Sequence, residues 1–152
     1  MPFDVDRFER AAFEPRRAVV PVDALAGFFA EGEPAEWHVR GLNSHELHRA
    51  LEASRRQNSV ESIVKAIAAT GDQAAAVRRA LGLSGDTPGE VAKRLEMLVM
   101  GSVAPTIQLP IAVKIAETFP IEFLTLTYKI GELTGQGYEL VKPAAASQPT
   151  TA

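Results

Sequence analysis

A chain of 152 residues, 46% of them hydrophobic and 23% charged, has the length and balance of one globular domain with a buried core, which excludes extended disorder of its body. Nineteen acidic against sixteen basic residues leave a net charge of −3 spread along the chain, so no stretch has the dense positive charge that duplex DNA or an anionic lipid surface demands. Cysteine is absent, which excludes disulfides, thiolate metal sites and a cysteine nucleophile.

The first ten residues, MPFDVDRFER, have no basic start followed by an apolar run, so they do not read as a signal peptide. No apolar run approaches the ~20 residues that span a bilayer. A soluble, cytoplasmic protein is expected. The texture of the sequence separates an irregular, Pro-interrupted region over 1–42, a helical region over 43–142 and a flexible low-complexity tail over 143–152. Residues 1–142 are expected to form a single, mostly helical domain. In the first region, Arg17–Val22 and Glu36–Arg40 read as short strands, the second alternating polar and apolar, with a loop signal at Gly32-Glu-Pro34 between them. They predict a two-stranded antiparallel ribbon that leans on the helices, with Pro21 confined to an edge.

The helical region is marked by its caps. Asn43-Ser-His-Glu46 has the form of a capping box, and Leu47, Ala50, Leu51 and Ser54 follow at helical spacing. Asn58-Ser-Val-Glu61 repeats the cap ahead of Val60, Ile63, Val64 and Ile67, which predicts a second helix over 59–70, closed by Gly71. A short Ala-rich helix is expected over 72–81, closed by Gly82. Thr87-Pro-Gly-Glu90 opens another, carrying Val91, Leu95, Leu98 and Val99. Pro110 and Pro120 each open a helix, and Gly135-Gln-Gly137 ends the last one. The fold class is mainly α, a compact array of five to six short helices with a small β-ribbon.

Catalytic chemistry has little to stand on. His45 and His48 are spaced i, i+3 around Glu46, one residue short of the zinc motif whose i, i+4 spacing puts two imidazoles on one helix face. They read as exposed helix histidines, and His38 as a surface strand residue. Asp4, Asp6 and Glu9 lack the further oxygen ligands and the turn glycine of a calcium loop. Gly135-Gln-Gly137 follows a helix rather than opening one, so it is an exit turn and not a phosphate cradle. The doublets Arg16-Arg17, Arg55-Arg56, Arg78-Arg79 and Lys93-Arg94 have acids nearby and read as solvated faces. No catalytic residue, metal ligand or cofactor is assigned, and the chain reads as non-enzymatic.

The most informative segment is the last helix, over 120–134. Ile121, Leu124 and Tyr128 share one face, and Phe123, Leu126, Ile130 and Leu133 share another. A surface helix needs one apolar stripe; two imply either a buried central helix or a helix with a partner. Two blocks here have a family likeness. Val39-Arg-Gly-Leu-Asn-Ser-His-Glu-Leu47 resembles the strand-into-helix entry of the tail assembly chaperones of long-tailed bacteriophages. Phe119-Pro-Ile-Glu-Phe-Leu124, with Gly131-Glu-Leu-Thr-Gly-Gln-Gly137, resembles their closing segment. The layout agrees over roughly 17–140, while the identities are confined to these blocks.

The resemblance implies a non-enzymatic protein that binds the tape-measure protein, keeps it soluble and recruits tail-tube subunits in the host cytoplasm, and that is absent from the mature virion. A longer frameshifted form is a trait of many such proteins. On this reading Phe119, Phe123, Leu126, Ile130 and Leu133 are the candidate partner-binding residues, and self-association into a homo-oligomer is compatible with it. Two other classes stay open. A structural virion component, such as a tail completion or connector protein, would be found in purified particles, whereas an assembly chaperone would not. A small helix-turn-helix regulator would use helices 44–56 and 59–70, but the second carries only one Lys and one Glu where a recognition helix is basic.

Overall fold

The computed structural model describes residues 2–67 and 89–142, with the side chains of all but 57–67. The expected helix over 72–81, the stops at Gly71 and Gly82, Arg78-Arg79 and the tail over 143–152 lie outside these residues. Those described fold into a mostly helical body with a small antiparallel sheet. In chain order they are α1 (Val5–Arg10), β1 (Phe13–Glu14), β2 (Arg17–Pro21), a 3-10 turn (Asp23–Phe28), β3 (Glu36–Arg40), α2 (Ser44–Ile67), α3 (Gly89–Gly101), β4 (Ser102–Ala104), α4 (Leu109–Thr118), α5 (Pro120–Gln136) and β5 (Glu139–Leu140). None of the described helices is long and apolar enough to cross a membrane.

The expected ribbon is present and carries a third strand. β2 and β3 pair antiparallel, with Arg17 opposite Arg40 and Pro21 opposite Glu36, and Pro21 closes an edge strand. Val20, Trp37 and Val39 point inward, as the alternation in 36–40 requires. β4 pairs with the other edge of β3, giving the order β2-β3-β4. Three residues directly after a helix are too few to show a period of two, so residues 43–142 are not purely helical as expected. β5 adds a second departure there: it pairs with β1, with Phe13 opposite Leu140, and ties the start of the body to its end. Arg16 reinforces this junction, donating to the Gly137 carbonyl and lying 3.6 Å from the Glu139 carboxylate.

The capping box at the head of α2 forms reciprocally. The Glu46 N–H donates to Asn43 Oδ1 at 2.9 Å, and the Asn43 N–H donates to Glu46 Oε1 at 3.0 Å. Arg40, at the end of β3, donates to both oxygens of the same carboxylate, which fixes the strand-to-helix joint. The second cap does not act as one. α2 runs unbroken to Ile67, where two helices were expected. Arg55-Arg56-Gln57 are good helix formers with no Gly or Pro among them, so propagation overrides the local preference of Asn58. The turn of a helix-turn-helix motif at 57–58 is therefore absent.

Two glycines set how closely the elements approach. A Cβ on Gly101, at the end of α3, would lie 2.6 Å from Ile130 Cδ1. One on Gly41 would lie 3.0 Å from the backbone of Leu133. Next to Gly41, the Leu42 N–H donates to Thr134 Oγ1 at 3.0 Å. Thus α3 and the joint between β3 and α2 both close onto α5. One cluster of buried side chains joins these elements: Val20, Val22, Leu25, Trp37 and Val39 from the sheet side, Met97 and Leu98 from α3, and Ala112, Ile115, Phe123, Leu126, Ile130 and Leu133 from α4 and α5.

Candidate functional site

Phe123, Leu126, Ile130 and Leu133 are buried, with Leu126 and Ile130 fully so. These four were expected to bind a partner and instead form the inward stripe of α5. The reason is positional: α5 is covered on this side by β3, α3 and α4 together, and Thr127 is buried among them. Its hydroxyl donates to the Phe123 carbonyl and accepts from Arg94 Nη1 at 2.8 Å. The solvent-facing stripe is the other one, Ile121, Leu124 and Tyr128.

The fifth residue, Phe119, has a different setting. It ends α4 and begins α5: its N–H donates to the Ile115 carbonyl at 2.7 Å, and its own carbonyl accepts from the Phe123 N–H at 2.9 Å. Half-buried at this joint, it closes one end of an open groove of about 530 Å³. One wall is the 3-10 turn, with Leu25, Phe28 and Phe29. The other is the segment into α4, with Pro105, Ile107 and Ile111, and Trp37 and Ile115 form the base. Among the described residues, Lys114 is the single charged residue of the lining.

Each wall has a local cause. Val22 and Leu25 anchor the 3-10 turn in the core, and the Phe29 N–H closes it on the Ala26 carbonyl. This leaves Phe28 82% exposed on the rim. Pro110 sits in the first turn of α4, where a missing N–H costs nothing, and starts the helix so that Ile111 faces the groove while Ala112 faces the core. Trp37 is held from below: its Nε1–H donates to the buried Ser102 hydroxyl at 2.9 Å, which in turn donates to the Leu98 carbonyl.

Sequence reasoning missed this groove apart from Phe119, because its walls lie far apart along the chain. The doublet Phe28-Phe29, in a segment with little regular structure, was the signal that could have marked it. Its volume lies within the range of sites that enclose a small apolar ligand or a few side chains of a docked helix.

The polar residues singled out earlier do not converge. His38, His45 and His48 are exposed, and His48 lies 3.9 Å from Glu52 on the same helix. Asp4 caps α1 by accepting from the Arg7 N–H. Among the described residues, no three His, Asp or Glu side chains cluster as a metal site would require. Among the described residues, Glu46 is the acid whose pKa is displaced: hydrogen bonds from Arg40 hold it below the usual glutamate value against the opposing effect of burial, and its bond from Asn43 adds to this. It stands at the β3–α2 joint and not in the groove lining. No family model matches the sequence, and no curated protein or solved structure matches it.

Proposed function

We propose that this protein is a tail assembly chaperone of a long-tailed bacteriophage, which binds an amphipathic helix of the tape-measure protein in its apolar groove, keeps that protein soluble and recruits tail-tube subunits to it. The observation that carries the reading is the groove between the 3-10 turn and α4. It is apolar, open to solvent and rimmed by Phe28 and Ile111, which a lone soluble domain has no reason to leave uncovered. Helix-in-groove binding needs this chemistry: a trough that takes apolar anchors at i, i+3, i+4 and i+7, with little charge of its own. A long amphipathic tape-measure helix is aggregation-prone when naked and supplies such anchors.

The family likeness supports the same reading. The block 39–47 coincides with the Arg40–Glu46 joint, and the block 119–137 coincides with Phe119, α5 and its glycine stop, where Gly137 has φ of 75°. On this reading the protein acts in the host cytoplasm and leaves before the virion is complete. The continuous α2 weighs against the helix-turn-helix alternative. A structural virion component differs in its fate: it would be found in purified particles.

The test is co-expression with a candidate tape-measure protein. The wild-type chain is expected to keep the partner soluble and to co-purify with it. F28E/I111E, which places charge on two exposed rim positions, is expected to abolish this while leaving the circular dichroism spectrum and Tm unchanged. A partner left insoluble by the wild-type chain overturns the chaperone reading. A partner still held by F28E/I111E keeps that reading and removes the groove from it.

A further inference from the structure

Residues 3–14 build an apolar surface of their own, and none of them lines the groove. Phe3, Phe8 and Phe13 follow at five-residue intervals and stack as tilted rings, with centroids 5.3 Å apart for the first pair and 5.4 Å for the second. All three are exposed, as is Leu140, which lies opposite Phe13 across the β1–β5 pair. With Asp4 and Arg7 they line a shallow concavity of about 810 Å³.

The helix that carries Phe8, the middle ring of this platform, is at odds with its setting. α1 has six residues and buries none of them. Isolated helices shorter than about 12 residues are marginal in water, because nucleation costs more than the few internal hydrogen bonds return. The Asp4 cap and the aromatic stack hold α1 in place, and that stack faces solvent. Clustered exposed aromatics of this kind mark an interaction surface.

Charge selects the partner. The concavity carries one acid and one base, a turn apart. Among the described residues, the Arg7 guanidinium has no ion pair or side-chain hydrogen bond, and Asp4 has only its cap. A strongly acidic or strongly basic partner would meet a like charge here. A second copy would not, because a two-fold axis through the platform sets each Asp4 against the other copy's Arg7. We propose that the aromatic platform of Phe3, Phe8, Phe13 and Leu140 is the isologous interface through which two copies of this chain associate.

Sedimentation velocity of the untagged full chain, over micromolar to millimolar concentration, tests this. A reversible monomer–dimer equilibrium is expected. F8S and R7E are each expected to weaken it by about tenfold or more, since truncating an aromatic anchor or setting like charges together at an interface has effects of this size. Both lie outside the core, so the Tm should not move. Thiol cross-linking tests the geometry, because the chain has no cysteine of its own to interfere. A bis-maleimide should cross-link A11C, beside Phe8, into dimers and leave E117C, on exposed α4, as monomer. A chain that is monomeric at every concentration overturns the proposal, as does a dimer indifferent to F8S and R7E or cross-linked equally at both positions.

Discussion

Gly101 shows how tightly α5 is held. Alanine is the better helix former by about 1 kcal/mol. Here the new methyl would sit within 3 Å of three carbons of Ile130, which is fully buried and cannot swing away. Overpacking of this kind costs about 1–3 kcal/mol, so the clash outweighs the propensity. G101A is expected to lower stability in chemical denaturation, and G101A/I130V to recover part of the loss by removing the nearest carbon. Arg40 and Glu46 make a second prediction at this scale. The pair is mostly shielded, and Glu46 has its pKa lowered in the fold. Such a carboxylate contributes stability that is present above its unfolded pKa and lost as the pH falls through the lowered folded value. Stability is therefore expected to drop on acidification below the ordinary glutamate range, and E46Q to flatten that drop. A slope in urea-unfolding free energy that E46Q leaves unchanged would place the acid sensitivity elsewhere. The capping box was readable from Asn43 and Glu46, because it is local. Arg40 as the third member was not, because strand and helix meet only in the fold.

Among the elements, α5 divides most sharply into two faces. L126A is expected to cost about 2–5 kcal/mol, as truncation of a buried leucine does. I121S, on the outward stripe, should stay within about 0.5 kcal/mol. Thermal and urea unfolding of the two variants compare these directly. That α5 exists and where it starts were legible from Pro120, while it runs to Gln136, two residues past the expected end, and stops at Gly137. Which stripe is buried was not, since periodicity reports two apolar faces and only the packing of α3, α4 and β3 chooses between them. The same limit applies to α2. Asn58-Ser-Val-Glu61 has the letters of a cap, and a cap forms only where the preceding backbone leaves the helix.

The molecule as a whole is organised around one core that reaches from Val20 to Leu133. The groove and the aromatic platform use different residues and rest on different elements, so occupation of one need not compete with the other. Helical class and the strand pair could be read from the chain. The groove could not, because Phe28, Trp37 and Ile111 converge only after β3 has paired with β4 and α4 has packed. Trp37 gives this arrangement an optical handle. It is the single tryptophan of the chain, and it lies at the base of the groove with its indole N–H on Ser102. Excited in the red edge of its absorption, it should respond to a helix lowered onto it by a blue shift and reduced acrylamide quenching, as water leaves the edge of the ring that borders the groove. Assembly of two copies through the phenylalanine platform should leave the same emission unchanged, so one chromophore separates the two events in a single cuvette.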